Sequence, residues 1–370
     1  MARDLCSLNG GCLSTDIDSA TSDATASGEQ GVASMPSRYP EESVVGDMLW
    51  AVSKVGLVLG GGGITGAAYH FGVLFSIRLA TGWDPDRAEV IVGTSSGSFV
   101  AAMVRGGALD LHTLVGDSHT VEEAQEWLSG HCYQRGRPQG LLRWMRRGVL
   151  PGVVSPNLSL LLGSPGLYHT TGLAAWVRDS IGPLADSWPS LPTVIPAFDL
   201  QARRRVVFGT EAAPDVGLAD AVAASSAVPF VYEPVKLDGR WYVDGGVTSG
   251  TSADLVLAHA EPLDLLIVIA PLAAAESRPG ARFYEDMFDR VGRTALAAEL
   301  QHIRETWPTT EVLVLRPDDR VLPHSRPNPM STDSAIPSFL TTLRSMRDEL
   351  ARSSTWDVLE RHLVDSEAAA

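Results

Sequence analysis

Short apolar runs alternate with longer amphipathic stretches from Val55 onward. Val55–Leu59 ends in four glycines and predicts a buried strand, and Glu89–Val92 predicts a second strand that also ends at a glycine turn. A helix is expected after each strand, from Ala67 onward and over Ser98–Val104. Strand, helix, strand, helix is the beginning of a parallel α/β sheet.

The rest of the chain continues this alternation without an internal repeat. The pattern predicts strands at 193–200, 205–208, 265–270 and 311–315, and helices around 171–181, 284–306 and 336–352. Residues 1–50 are rich in Ser, Thr, Asp, Gly and Ala and have no sustained periodicity, so we expect this segment to be disordered. The last residues, 366–370, are expected to fray.

Composition narrows the class of protein. The chain has 370 residues, 45% hydrophobic and 20% charged, enough for one large or two modest domains. Its formal net charge of −15 argues against nucleic acid as a partner and against tight non-specific binding to anionic membranes, although a local basic patch could still contact lipid. Cys6, Cys12 and Cys132 have no metal-ligand spacing and indicate neither a zinc site nor a disulfide framework. With no signal peptide and no apolar run of about 18 residues, a cytoplasmic enzyme without a metal is expected.

A glycine-rich loop follows the first predicted strand. Gly61–Gly66 fits the pattern G-x-G-x-x-G between a strand and a helix, which is the context of a dinucleotide-binding site. The second strand, however, runs into Gly93-Thr94-Ser95 without the acidic residue that would hold a ribose. The same loop could aim backbone amides at an oxyanion, or it could be a plain turn that packs a helix on a sheet. On this loop alone the three interpretations stay open.

The second glycine turn carries a candidate nucleophile. Gly93–Gly97 fits G-x-S-x-G at a strand-to-helix turn, with Ser95 at its centre and the following helix directing its positive dipole end at the hydroxyl. Ser95 could instead be a simple helix N-cap. Ser96 and Ser98 are expected to cap and pack.

A serine nucleophile needs a base, and no histidine of this chain lies in a recognisable turn after a strand. His70 and His259 fall within helical patterns, as core or surface residues do. The better candidate is Asp244, which an aromatic and β-branched run delivers to a glycine turn in Trp241–Gly246. In isolation this aspartate would be an ordinary Asp-Gly-Gly turn residue.

Taken together, the three motifs resemble the patatin-like phospholipase family. That family has a glycine-rich oxyanion loop, a G-x-S-x-G turn on the next strand and a later D-G-[GA], and here these stand in the same order at Gly61–Gly66, Gly93–Gly97 and Asp244–Gly246. Segments similar to the family are also present at 166–168, 197–200 and 223–229. The resemblance spans 55–257 and implies a three-layer α/β/α fold with a mostly parallel central sheet, on which residues 258–365 pack as part of the same domain.

The resemblance also implies a mechanism. Ser95 would attack an ester carbonyl, Asp244 would take its proton, and the amides of Gly61, Gly62 and Gly63 would hold the oxyanion before water releases the acyl group. No cofactor or metal is implied; the substrate is a lipid or another acyl ester, with transient contact at a membrane surface. Two alternatives are a dinucleotide-dependent oxidoreductase that uses Gly61–Gly66 and a catalytically silent protein with the patatin-like fold.

The chain departs from the family pattern at two places. Thr65 stands where the family usually has Arg or Lys, and Thr248–Ser252 replaces the usual asparagine-containing continuation after the aspartate. Both departures weaken phospholipid as the substrate but leave acyl-ester hydrolysis in place. Leu141–Arg147 mixes bulky apolar residues with cations, followed by an apolar stretch over 153–162, and is either an interfacial element or an ordinary packed helix. The aromatic candidates for an acyl pocket are Tyr168, Trp176, Phe230, Tyr232 and Trp241.

Overall fold

The computed structural model describes residues 53–135, 166–276 and 280–364. The predictions for 1–50, 141–162 and 366–370 therefore lie outside the described residues. The described strands are β1 (Val55–Leu59), β2 (Val90–Gly93), β3 (Gln134–Arg135), β4 (Tyr168–His169), β5 (Thr193–Asp199), β6 (Arg204–Phe208), β7 (Val235–Leu237), β8 (Arg240–Asp244), β9 (Leu265–Ile269) and β10 (Glu311–Leu315).

Helices connect most of these strands. They are α1 (Gly63–Thr81), α2 (Ser96–Arg105), α3 (Leu111–Val115), α4 (Val121–Cys132), α5 (Thr171–Ile181), α6 (Leu218–Ser225), α7 (Val256–His259), α8 (Phe283–Thr306), α9 (Leu322–Ser325), α10 (Ala335–Leu350) and α11 (Ser353–Leu363). No helix among the described residues is both long and apolar enough to cross a bilayer.

Eight of the strands form one sheet in the order β10-β9-β1-β2-β5-β8-β7, and β6 also pairs with β5. The five strands from β10 to β5 run parallel, whereas β8 pairs antiparallel with β5 and β7 antiparallel with β8. Parallel neighbours place their carboxyl ends at the same edge of the sheet. The loops after β1 and β2 therefore start side by side at that edge.

Both faces of the sheet are buried, which is why its strands are continuous apolar runs rather than alternating ones. In β9, Leu265, Ile267 and Ile269 join one core cluster, with residues of α1, α2, α5, α6 and α10, while Leu266 and Val268 join a second with residues of α7 and α8. Side chains alternate across a strand, so a run of five apolar residues supplies both cores. This is the three-layer α/β/α fold with a mostly parallel sheet, as predicted.

The predicted elements are present, with small changes at their ends. The first helix begins at Gly63 rather than at Ala67, because the end of the glycine loop already forms its first turn. The second strand is shifted by one residue, to Val90–Gly93. The helices α3, α4, α6, α7, α9 and α11 were not predicted. Of these, α3 and α4 begin at Asp and Thr N-caps whose side chains accept from the third residue of each helix.

Candidate active site

The turn between β2 and α2 holds Ser95 in a strained conformation. Its φ of 53° and ψ of −122° lie in a region that residues with a side chain rarely adopt. The flanking glycines are required by contact: a Cβ on Gly97 would lie 1.9 Å from the carbonyl oxygen of Leu59, and one on Gly93 would lie 2.6 Å from that of Gly97. The turn therefore has the geometry of a nucleophile elbow, the sharp strand-to-helix turn that presents a serine hydroxyl.

The segment 223–229 fixes the backbone of this turn. Ser225 Oγ accepts a hydrogen bond from the Ser95 amide (3.0 Å) and donates one to the carbonyl of Pro196 (2.7 Å). Ser226 Oγ and Ser98 Oγ both donate to the Ser95 carbonyl, at 3.2 and 2.6 Å. Both backbone polar groups of Ser95 are thus hydrogen-bonded, and these bonds hold the turn in its strained conformation. The sequence marked this segment only as similar to the family and assigned it no role.

Asp244 ends β8, where β8 pairs with β5 and places Asp244 opposite Ala197. Its amide donates to the carbonyl of Ala227 (3.0 Å), and its Oδ1 accepts from the amide of Gly246 (2.7 Å). Its Oδ2 is buried and has no hydrogen-bond partner in the described part of the chain. Such an atom is an acceptor that lacks a proton donor.

Burial dominates the acidity of Asp244. Loss of solvent raises the pKa of this carboxyl to about 6, against the opposing effects of the Ser95 hydroxyl and the Gly246 amide, which favour the carboxylate. The Ser95 hydroxyl is thus close enough to influence Asp244, although it completes no hydrogen bond to Oδ2. The fold brings together the two side chains that the sequence singled out, and burial raises the carboxyl pKa toward neutrality.

The glycine loop packs directly on Ser95. A Cβ on Gly61 would lie 3.3 Å from the Ser95 Cβ. The amide of Gly61 donates to the carbonyl of Gly250 (2.7 Å), so this amide is engaged within the protein. The amides of Gly62 and Gly63 have no acceptor among the described residues, and the same holds for the amide of Ser96 at the start of α2. Of the three glycines predicted to hold an oxyanion, two therefore have amides free to do so.

A buried histidine supports this loop. His70 on α1 donates from Nε2 to the carbonyl of Gly60 (2.7 Å). Burial lowers the pKa of His70 to about 4, so the ring is neutral at physiological pH. It holds the loop and does not contact Ser95 as a base would.

The N-terminus of α1 is covered from the other side. A Cβ on Gly63, whose φ is +63°, would lie 2.6 Å from the carbonyl oxygen of Pro329, and the amide of Thr65 donates to that same oxygen (3.1 Å). A dinucleotide site needs these amides open to a pyrophosphate and an acid at the end of the second strand. Here the carbonyl of Pro329 accepts from the Thr65 amide and leaves only the Gly62 and Gly63 amides free, and no acid follows β2, which runs into Thr94 and Ser95.

An apolar cavity opens beside Ser95. It has a volume of about 650 Å³, part of which is open to solvent. Of the five aromatic candidates, Trp176 and Tyr232 line it. Tyr168 packs against the rings of Tyr133 and Tyr232 outside the lining, Phe230 is exposed, and Trp241 lies against Lys236. The lining residues come from α1, α2, α3, α4, α5, the start of α10 and nearby loops: Gly63, Ile64, Ala67, Ala68, Ser95, Ser96, Phe99, Leu114, Leu128, Cys132, Leu173, Trp176, Ser226, Val228, Tyr232, Met330 and Ala335.

The chemistry of this cavity is that of a hydrocarbon pocket. Its wall is almost entirely aliphatic and aromatic, and the polar groups are concentrated near Ser95. Cys132 adds a buried thiol whose pKa burial raises to about 12, so it stays protonated and packs as a small apolar group. No three His, Cys, Asp or Glu side chains are grouped as metal ligands in the segments that the structure describes.

Comparison with known proteins agrees with this geometry. A family model described as patatin-like phospholipase matches residues 57–257, more than half of the chain. The chain belongs to the patatin-like phospholipase family. An NTE family protein of Mycobacterium tuberculosis is 28% identical over 213 residues, 55% of this chain and 48% of the relative. The chain thus matches about half the length of this curated relative.

Two solved structures are distantly similar to the chain. VipD from Legionella pneumophila has 12% identity and a TM-score of 0.33, covering 86% of this chain and 72% of that one. Human GIVD cytosolic phospholipase A2 in complex with methyl gamma-linolenyl fluorophosphonate has 12% identity and a TM-score of 0.36, covering 84% of this chain and 59% of the other.

The first departure from the patatin-like pattern is structural in this chain. Thr65 is 1% exposed, and its hydroxyl points at the carbonyls of Ser325 (3.3 Å) and Pro329 (3.4 Å). It ties the start of α1 to the loop after α9. A cation at this position would be buried among carbonyl groups rather than presented to a lipid headgroup.

The second departure, the segment Thr248–Ser252, connects the glycine loop to the nucleophile turn. In the loop after Asp244, the carbonyl of Gly250 accepts from the glycine loop, and the carbonyl of Thr251 accepts from Thr94 Oγ1 (3.3 Å) beside the nucleophile. Glu299 on α8 holds the loop, because its carboxylate accepts from Ser249 Oγ (2.5 Å), Thr251 Oγ1 (2.6 Å) and the amide of Ala253 (2.9 Å). Sequence reasoning missed Glu299, which looks like one more acid of an amphipathic helix.

Proposed function

We propose that this protein is a serine hydrolase of lipid acyl esters that uses a Ser95–Asp244 dyad. The observation that carries the proposal is the proximity of these two residues, distant in sequence, with Ser95 in the wall of an apolar cavity. The family membership supports lipid as the substrate class. The apolar lining of the cavity matches the chemistry of a hydrocarbon chain.

The proposed reaction proceeds in two steps. Asp244 Oδ2 takes the proton of the Ser95 hydroxyl as Ser95 Oγ attacks the ester carbonyl, whose oxygen becomes an anion. Collapse of this intermediate breaks the bond to the alcohol, which leaves with the proton from Asp244, and an acyl-enzyme remains. Water then attacks the acyl group, giving its proton to Asp244, and the carboxylic acid is released with Ser95 restored.

The amides of Gly62 and Gly63, with the amide of Ser96, are the proposed donors to the oxyanion. Each well-aimed donor is worth about 3 to 4 kcal/mol in the transition state. An aspartate of ordinary pKa is a poor base for an alcohol, because its pKa lies far below that of a hydroxyl group. Burial raises the pKa of Asp244 and so narrows the difference between the two pKa values.

A fluorophosphonate probe tests the nucleophile. The full chain should be labelled covalently at Ser95 and should hydrolyse p-nitrophenyl esters, and Ser95→Ala should lose both labelling and turnover. Ser353→Ala, which removes an exposed serine at the start of α11, is the matched control and should keep both. An acyl-chain series of esters and phospholipids, run beside these variants, would then define the preferred substrate.

Three results would contradict the proposal. Unchanged esterase activity in Asp244→Asn would exclude the dyad. A folded protein that turns over no ester from short chain to long would be a silent member of the fold. Stoichiometric binding of a nicotinamide or flavin dinucleotide would favour an oxidoreductase.

A further inference from the structure

A buried ion pair joins two segments that both touch the glycine loop. Arg326, in the loop between α9 and α10, and Asp289 on α8 are each 3% exposed. The contact is forked: Arg326 Nε lies 2.6 Å from Asp289 Oδ2, and Arg326 Nη2 lies 2.7 Å from Asp289 Oδ1. A forked contact of this kind fixes the orientation of the two side chains as well as the distance between them.

The same ion pair holds the segment that follows β9. Arg326 Nη2 donates to the carbonyl of Pro271 (2.5 Å), and Asp289 Oδ1 accepts from the amide of Ala274 (2.9 Å). Pro271 lies against the glycine loop, because a Cβ on Gly62 would be 2.7 Å from the Pro271 Cβ. The ion pair therefore fixes the residue against which Gly62 packs.

The backbone next to Arg326 contacts the following residues of the glycine loop. The carbonyl of Ser325 accepts from Thr65 Oγ1 (3.3 Å), and the carbonyl of Pro329 accepts from the Thr65 amide (3.1 Å). A Cβ on Gly63 would lie 2.6 Å from the Pro329 carbonyl oxygen. This segment and the one after β9 thus touch consecutive glycines, and the Arg326 side chain joins the two segments.

These consecutive glycines are the two whose amides have no acceptor among the described residues. In the proposed reaction the amides of Gly62 and Gly63 hold the oxyanion, and a misplacement of about 1 Å can cost about a hundred-fold in rate. A buried ion pair is by itself weak evidence of stabilisation, because the cost of taking two charges out of water offsets their attraction. The location of this pair points instead to a role in positioning the loop.

We propose that Arg326 is a positioning residue for the oxyanion hole. Paired with Asp289, it holds the two segments that set the direction of the Gly62 and Gly63 amides. Arg326 acts through these segments and does not itself contact the substrate. The inference rests on the proposed function, because the oxyanion arises only in that reaction.

A double variant tests the proposal without leaving a buried charge unpaired. Arg326→Met with Asp289→Leu should unfold at a temperature close to that of the natural protein, because apolar side chains often replace a buried ion pair without loss of stability. Its kcat for a dissolved p-nitrophenyl ester should nevertheless fall by about ten-fold or more, with a smaller change in KM. Arg326→Lys keeps the charge but not the fork and should have an intermediate kcat.

A trifluoromethyl ketone provides a readout that is specific to the oxyanion hole. Its adduct with a serine nucleophile is a tetrahedral anion, so the inhibition constant should rise by the factor by which kcat/KM falls. The matched control removes a half-exposed pair of the same residue types between neighbouring elements. Arg320→Met with Asp348→Leu should leave kcat, KM and the inhibition constant unchanged.

The outcomes separate this inference from the proposed function. Natural kcat and natural inhibition in a folded double variant would overturn the positioning role and leave the hydrolase intact. A lower kcat with an unchanged inhibition constant would place the effect outside the oxyanion hole and overturn the role as well. If the double variant does not fold, Arg326→Lys decides in the same way. A natural protein that neither hydrolyses esters nor reacts with a fluorophosphonate would overturn the proposed function and this inference with it.

Discussion

At the scale of single residues, the site depends on two unfavourable states held by the fold. Ser95 has a positive φ, and Asp244 is a carboxyl group removed from water with one oxygen unpartnered. A strained backbone and a buried unpaired oxygen each destabilise the folded protein by a few kcal/mol. Under the proposed function, both states serve the chemistry at the wall of the apolar cavity rather than the stability.

The pH dependence of activity should report on Asp244. The dyad requires the carboxylate, and burial raises the pKa of this group to about 6. We expect kcat/KM for a dissolved p-nitrophenyl ester to be constant between about pH 7 and 8 and to fall as the pH drops through about 6. A profile that stays flat down to pH 4.5 would show that an ordinary surface-like carboxylate, or none, acts as the base.

The same raised pKa predicts that the stability of the fold decreases as the pH rises, whereas the activity increases. A carboxyl whose pKa is higher in the folded than in the unfolded protein stabilises the fold below its unfolded pKa of 3.8, and this stability is lost as the pH rises through about 6. At pH 8 the buried charge should therefore destabilise the protein by about 2–3 kcal/mol. Asp244→Asn should raise the free energy of unfolding by up to that amount at pH 8 and by much less at pH 4.5, as measured by urea unfolding at both values.

The control for this experiment is an aspartate in a tight turn. Asp238 is exposed and has a positive φ that asparagine also tolerates, so Asp238→Asn should change stability little and equally at both pH values. If Asp244→Asn is less stable than the natural protein at pH 8, the buried carboxylate must be stabilised by contacts that the structure does not contain.

The sequence revealed the residues whose conformation demands glycine neighbours. Gly93 and Gly97 are required by the close approach of the turn to backbone, and this need leaves a pattern that can be recognised. Ser225, His70 and Glu299 act through hydrogen bonds to residues far away or on another element, and many residue types occupy such places in other helices. They leave no local pattern, so only the folded structure reveals them.

At the scale of elements, the loop after Asp244 joins three parts of the site. It contacts the glycine loop through Gly250 and the nucleophile turn through Thr251, and it is held by Glu299 of α8. Loops that carry functional groups are often the least stable parts of a protein. Here the anchoring carboxylate lies on a long helix, which restricts the loop from outside.

Removal of the Glu299 carboxylate should slow catalysis because the loop after Asp244 loses its position, not because a catalytic group is lost. Glu299→Ala deletes the acceptor of three hydrogen bonds, two from hydroxyls and one from an amide, and should destabilise the protein by about 2–4 kcal/mol. Because the loop also restrains the glycine loop, we expect kcat for a dissolved ester to fall by about ten-fold or more, with a smaller change in KM. Steady-state kinetics and thermal unfolding of the same preparation measure both effects.

Two variants separate positioning from a general loss of charge. Glu305→Ala, one turn and a half along α8 and exposed, should leave kcat unchanged. Glu299→Gln keeps one acceptor oxygen and should be intermediate in kcat. Unchanged kinetics in a folded Glu299→Ala protein would mean that the loop keeps its position without the anchor.

Boundaries of elements were harder to predict than their existence. The helix α1 begins within the glycines, where propensity argues against a helix, because Pro329 supplies an acceptor for the Thr65 amide from outside the segment. The strands β1 and β10, in contrast, were predicted to the residue, since each is a short, mainly apolar run that pairs in parallel with β9. Local pattern suffices where an apolar run has clear ends and fails where a distant loop decides the geometry.

At the scale of the whole molecule, the sheet extends beyond the part of the chain that matches the family model. The match covers residues 57–257, and β9 at Leu265–Ile269 lies outside it. Yet β9 pairs along its full length with β1, the strand that carries the glycine loop, and with β10 on its other side. All five residues of β9 are fully buried and serve both cores.

Residues 53–257 alone should therefore fail to fold. Without β9 the hydrogen-bonding edge of β1 is open, and the second core loses Leu266, Val268 and the stripe of α8 that covers this side of the sheet. Burial of a large aliphatic side chain is worth about 1.5–3 kcal/mol, so loss of several exceeds the total stability of a typical domain. Circular dichroism and thermal unfolding should show no cooperative transition for 53–257, whereas a chain ending at Val364, which keeps every described element, should unfold cooperatively. A cooperative transition of the short chain near that of the full one would mean that β1 can serve as an edge strand and that the nucleophile, the glycine loop and Asp244 form a unit independent of β9.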